Sequence, residues 1–334
     1  MAQASHAYDV AGIGNAIVDI IQGTDDSFLL EHKIAKGVMT LIDDFRAEQL
    51  VAALNGAREI SGGSTANTMA GLASFGAKGL FIGKVKEDRL GVSFAEDLKR
   101  IGVTFETAMA TAGPPTACCV IAVTPDGQRS MSTYLGACRE LSPADIDDAA
   151  VASAAITYIE GYMWDAEGSK AAIRRAIASA KSAGRKVAMT LSDPFCVGRF
   201  RKEFLELMGS DIDILFANEA EITALYEVEH FDQALQKARA WSGLAALTRS
   251  EKGCVIASPD GEVHVLDAEK VAKVVDTTGA GDQFAAGFLH GLSRGMDLRA
   301  CGRLGTIAAA EIISHYGARP EKSLKALAAQ AGLI

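Results

Sequence analysis

The stretch Asp276-Thr-Thr-Gly-Ala-Gly-Asp282 joins an apolar run to a segment in which Phe284, Phe288, Leu289 and Leu292 recur at helical spacing. Small residues at a loop-to-helix junction let backbone approach a ligand closely. The unpaired N–H groups of a first helical turn, with the helix dipole, attract anions. Asp282, in that same turn, has two readings. It is a capping carboxylate, common in first turns, or a proton acceptor beside a bound anion. Together, the Gly279-Ala280-Gly281 loop and its carboxylate suit phosphoryl transfer. The loop would stabilise charge on the moving group while Asp282 takes the proton of an attacking hydroxyl.

Two other glycine-rich stretches fail as phosphate sites. Gly12-Ile-Gly14 follows a strand-like run, but Ile17 occupies the third glycine position of a dinucleotide fingerprint. Ala16–Ile21 is β-branched and reads as more strand. Gly79–Val85 is one residue short of a Walker A loop and has Val where the metal-binding Ser/Thr belongs.

The elements positioning these residues alternate. Strand-like runs lie at Tyr8–Gly12, Leu80–Val85, Ala155–Glu160, Lys186–Leu191, Ile212–Ala217, Leu244–Thr248 and Gly253–Ala257. Helical patterns fall at Thr65–Phe75, Gly91–Ile101, Glu167–Ser182, Glu219–Tyr226, Phe231–Trp241, Asp282–Arg294 and Leu298–His315. This predicts an α/β fold: a doubly wound, mostly parallel sheet with helices on both faces, binding ligands at the carboxyl ends of its strands. Residues 18–42 and 104–137 break the rhythm. The second contains Thr124-Pro-Asp-Gly127 between two apolar runs, a hairpin signal. These stretches are expected to form a small antiparallel β lid on a large domain of residues 1–17, 43–103 and 138–334.

The chain has 334 residues, 49% apolar, enough for a large core; its net charge of −9 disfavours nucleic acid as a partner. None of the six cysteines has zinc-site spacing, so they read as buried hydrophobes in a reducing cytoplasm. The N-terminus shows no secretory pattern, and no apolar run reaches membrane-spanning length. A cytoplasmic enzyme with no membrane association is expected.

Three motifs in order resemble the ribokinase/PfkB family of sugar and nucleoside kinases: Gly62-Gly63-Ser64-Thr65-Ala66-Asn67, Asn218-Glu-Ala-Glu221 and Asp276–Asp282. Gly12–Asp19, Tyr158–Gly161, Leu191–Phe195 and Asp213–Glu219 are similar to the adenosine kinase branch. The resemblance implies transfer from ATP, with Mg2+, to the 5′-hydroxyl of adenosine or a related nucleoside. Asp282 would be the base, Gly279, Ala280 and Gly281 the anion hole, and Arg129 a lid residue over the phosphates. Asn15, Asp19, Gly63, Ser64 and Asn67 would hold the acceptor ribose. Asn218 and Glu221 would organise magnesium and its waters. Thr248, Arg249 and Gly253 would lie beside the ATP ribose and phosphates, and Ile312, His315 and Gly317 would border its base. Asp276 and Thr278 match positions where relatives hold a monovalent cation, which suggests K+. A monomer or homodimer is expected.

Two positions depart from the adenosine kinase pattern. Thr278 stands where animal enzymes carry Asn, and Met39 where they carry a nucleoside-contacting Gln. Met39, Tyr162 and Met163 then become candidate apolar walls for the base. A sugar acceptor such as ribose or fructose stays open, as does a non-catalytic ligand-binding relative.

Overall fold

The structure is a computed structural model and describes residues 6–334. In chain order its strands are β1 (Tyr8–Ile13), β2 (Ile17–Gly23), β3 (Met39–Leu41), β4 (Arg58–Gly62), β5 (Gly79–Ile82), β6 (Val103–Phe105), β7 (Ala117–Val123), β8 (Arg129–Tyr134), β9 (Ala154–Glu160), β10 (Lys186–Thr190), β11 (Ile214–Asn218), β12 (Leu244–Thr248), β13 (Cys254–Ala257) and β14 (Val263–Leu266).

Nine strands form one sheet in the order β14-β13-β12-β11-β10-β9-β1-β5-β6. All neighbours from β12 to β6 are parallel, while β13 and β14 run antiparallel at one edge. Parallel strands covered on both faces must be apolar throughout. In β1, Val10, Ala11 and Ile13 are all fully buried. Val10 faces the core that holds Phe81 and Phe288; Ile13 faces the opposite core with Trp164 and Phe204. Helices lie on both faces, so the doubly wound architecture stands.

The chain passes from β1 to β5 on one side, whereas β9 pairs with β1 on the other. The connectivity therefore reverses between β1 and β9, and a crevice opens at the carboxyl ends of such a pair. Gly14 and Asn15 follow β1 there, and Glu160, Thr190, Asn218 and Thr248 end β9, β10, β11 and β12.

The second sheet has the order β3-β8-β7-β2-β4. The Pro-Asp-Gly hairpin joins β7 and β8 antiparallel, and β2 and β4 are also antiparallel; β2 with β7 and β3 with β8 are parallel. Two segments fall on the other side of the expected divide. β4, within 43–103, pairs with β2 in the small sheet; Thr104 and Phe105, within 104–137, pair with β5 in the large one.

The 17-residue helix Pro194–Ser210 was not expected from sequence. Its start is well marked: Asp193 accepts the Cys196 N–H at 2.6 Å and Pro194 opens the first turn. Among the described residues, no helix is long and apolar enough to cross a membrane.

Candidate active site

The helix Ala280–Ser293 starts after Gly279, whose φ of 78° is left-handed; a Cβ there would meet Ala318 at 2.8 Å. No side chain caps this helix, and a Cβ at Gly281 would face open space. The Ala280 N–H donates to the Thr277 carbonyl at 3.2 Å; the rest of the helix start is bare backbone, suited to an anion.

Asp282 does not cap it. Its Oδ1 accepts the Ser64 hydroxyl at 2.6 Å and its Oδ2 the Asn67 amide at 3.2 Å. Both donors lie on the helix Ser64–Phe75, which the Gly-Gly pair opens. Desolvation pushes the Asp282 pKa up to about 6, opposed by these hydrogen bonds and the charge of Arg319.

The Gly-Gly pair is a matter of space. A Cβ at Gly62 would stand 2.5 Å from the Asp19 carboxylate. Gly63 has φ 94°, and a Cβ there would stand 2.2 Å from the Asn15 carbonyl oxygen. Asn15, Asp19, Gly63, Ser64 and Asn67 therefore converge on Asp282. Burial also pushes Asp19 up to about 6, against the nearby charges of Arg129 and Arg319. Glu160 ties the group together, accepting the Asn15 N–H at 2.9 Å and the Thr65 N–H at 2.8 Å. Burial holds its pKa above the ordinary carboxylate value.

Arg129, on β8, forms an ion pair with Asp276, and the two side chains are almost completely buried. Asp276 also accepts the Gly317 N–H at 3.0 Å, the Thr278 N–H at 3.0 Å and the Thr278 hydroxyl at 2.7 Å. A carboxylate so filled with donors does not fit the monovalent-cation role expected of Asp276 and Thr278. The Arg129 Nε is buried without a partner.

Asn218 caps the helix Glu219–Tyr226 and is locked to Glu221. Its N–H and side-chain amide donate to the two Glu221 carboxylate oxygens at 2.9 and 2.6 Å, and its Oδ1 accepts the Glu221 N–H at 2.8 Å. Burial pushes Glu221 up to about 7, with Asp193 and Asp282 adding like charge. Among the described residues, no three His, Cys, Asp or Glu side chains cluster as a metal cage. Each Glu221 oxygen takes one donor from Asn218, where each Asp276 oxygen takes two, and so keeps an acceptor position for a water of magnesium, an ion bound chiefly through nucleotide phosphates and retained waters.

The other expected residues have protein partners of their own or lie in the core. Arg249 lies over the Phe231 ring at 4.0 Å and donates to Glu219 at 3.1 Å. Gly253 satisfies a turn: its φ is 79° and a Cβ would stand 2.0 Å from the Leu266 carbonyl. Ile312 is fully buried and offers a nucleotide base no surface. His315 bonds Glu311 at 3.1 Å. Met163 is packed in the core with Trp164, so it cannot wall the cleft. Tyr162 donates to Asp193 at 2.8 Å, and Met39 is exposed on the edge strand β3. Thr248 sits beside Asn218 across the β11–β12 pairing.

Sequence reasoning missed Glu160 and Arg319 as site residues. Glu160 carried a signal, a charge ending an otherwise apolar strand. Arg319 carried none: it lies between Ala318 and Pro320 in a C-terminal loop.

An uncapped helix N-terminus with a held carboxylate, at the reversal point of a doubly wound sheet beside a smaller sheet, is the layout of the ribokinase-like kinases. The description "pfkB family carbohydrate kinase" matches residues 38–324, and the chain belongs to that family. Adenosine kinases are among its relatives. It is 51% identical to a solved adenosine kinase from Sinorhizobium meliloti, with a TM-score of 0.90, covering 98% of this chain and 100% of that one. It is 48% identical to a probable sugar kinase from Rhizobium etli CFN 42, with a TM-score of 0.91 over 98% of this chain and 100% of that one. Adenosine kinase 2 of Arabidopsis thaliana is 27% identical, over 96% of this chain and 99% of that protein.

Proposed function

We propose that the protein transfers the γ-phosphoryl group of ATP to the 5′-hydroxyl of adenosine or a closely related nucleoside. The observation that carries this reading is Asp282, held by Ser64 and Asn67 at the bare start of a helix, with its pKa pushed up to about 6. At neutral pH such a carboxylate is ionised, yet more basic than an ordinary aspartate. The end-to-end likeness to the Sinorhizobium adenosine kinase supports a nucleoside acceptor.

The acceptor ribose lies along Gly62-Gly63, its hydroxyls between Asn15, Asp19 and Asn67. Asp282 takes the 5′-hydroxyl proton as that oxygen bonds to the γ-phosphorus. The bond from phosphorus to the bridging oxygen breaks, and ADP leaves with its electron pair. N–H groups of Gly279 and Gly281 receive the charge on the transferring group, joined by that of Ala280 if it turns from the Thr277 carbonyl, and the free Arg129 Nε adds a donor. Magnesium, when bound, neutralises phosphate charge; Asn218 and Glu221 would hold it through its waters. The small sheet covers the acceptor and excludes water as a competing nucleophile.

A sugar acceptor is the second reading. Thr278 and the exposed Met39 favour it, as does the Rhizobium relative described as a probable sugar kinase. ADP release with adenosine, inosine, guanosine, ribose and fructose in turn decides between them. Turnover with adenosine is expected; turnover confined to a free sugar overturns the nucleoside reading.

A further inference from the structure

We propose that Arg319 is a positioning residue for the base: its guanidinium fixes the Asn67 amide so that Nδ2, and not Oδ1, faces Asp282. The inference rests on Asp282 acting as the base. Arg319 Nε donates to Asn67 Oδ1 at 3.1 Å, and Asn67 Nδ2 donates to Asp282 at 3.2 Å. A guanidinium offers only donors and an ionised carboxylate only acceptors. The amide between them therefore has one satisfied orientation. Flipped, it would set oxygen against carboxylate and NH2 against guanidinium.

Arg319 is itself anchored. Its Nη2 donates to the Ser61 carbonyl and to the Ser61 hydroxyl, the latter at 2.9 Å. Ser61 precedes Gly62-Gly63 and Asn67 follows it, so one guanidinium clamps both ends of the acceptor-side turn. The neighbouring residue joins in: Gln283 Nε2 donates to the Asn67 carbonyl at 2.9 Å and to the Ala318 carbonyl at 3.1 Å.

The charge matters as well. The groups around Asp282 are mostly acidic: Asp19 from β2, Glu160 from β9 and Glu221 from the helix Glu219–Tyr226. Tyr158 and Tyr162 are neutral phenols, their pKa raised by burial. Against these acids stand Arg319 and, from β8, Arg129. Arg319 lowers the pKa of both Asp282 and Asp19. Removing it leaves the acids less opposed, so Asp282 must titrate higher.

The test compares Arg319→Met, which loses fork and charge, with Arg319→Lys, which keeps charge only. Rates are followed across pH, and the Asp282 carboxyl is titrated by 13C NMR, assigned with Asp282→Asn. For Arg319→Met, kcat should fall about ten- to a hundredfold with KM for ATP nearly unchanged. Its acid limb and the Asp282 midpoint should rise by about half a unit to one unit. Arg319→Lys should restore the acid limb but not kcat. A folded Arg319→Met with wild-type kcat and midpoint overturns the proposal; so does Arg319→Lys with wild-type kcat, which also decides if the Met variant fails to fold. Wild type silent with every acceptor would refute the kinase reading instead, while the NMR midpoints would still report on Arg319.

Discussion

Glu160 accepts the backbone N–H of Thr65 at 2.8 Å, across 95 positions of sequence. Its other oxygen holds the Asn15 N–H, so one buried carboxylate joins the ends of β1 and β9 to the helix Ser64–Phe75. In Glu160→Gln, the new NH2 would face a backbone donor. The variant should lose about 1–3 kcal/mol of stability in urea titration and show a raised KM for the acceptor. Unchanged stability and KM would mean that the tie is unimportant.

Asp282→Asn keeps the shape of the side chain and removes its basicity. Turnover should drop at least about a thousandfold, with ATP affinity by calorimetry close to wild type. Retention of more than about a few per cent of kcat would exclude Asp282 as the base.

Asp19 and Asp282 have folded-state pKa values near 6, against 3.8 for the free side chain. Both bind protons more tightly in the folded chain. Their contribution to stability is therefore most favourable below about pH 4, declines as pH rises toward 6, and reaches its full cost above that. Melting temperatures of Asp19→Asn and Asp282→Asn should gain on wild type through this window, then hold a constant lead. Parallel curves from pH 4 to 7 would contradict the raised values. Activity runs the other way: kcat should fall below about pH 6 as Asp282 protonates.

Gly63→Ala should be severe, because φ 94° disfavours any side chain and a Cβ would lie 2.2 Å from the Asn15 carbonyl oxygen. A loss of at least about 2 kcal/mol is expected by chemical denaturation. A variant as stable as wild type would show that the turn relaxes freely.

Much of this was legible in the chain. The apolar run of β1 and the periodicity of Glu167–Ser182 are local patterns, and the bounds of that helix match the structure. The Asp276–Asp282 loop announced itself because small residues before an amphipathic helix have few other uses. What stayed hidden depends on contacts between distant segments. Nothing local says that β4 leaves the large sheet to pair with β2, that Arg129 fills the Asp276 carboxylate, or that Met163 turns into the core. Arg319 was invisible for the same reason: its partners Asn67 and Ser61 lie more than two hundred residues away.

That separation orders events during synthesis. All five strands of the small sheet lie within residues 17–134 and emerge from the ribosome early, whereas Ser64 meets Asp282 across 218 residues and Asn67 meets Arg319 across 252. Such distant pairings carry the greatest loop-closure cost and form late in a chain made from its N-terminus. The nascent protein can pair the strands of its small sheet before the segments that carry Asp282 and Arg319 have been made.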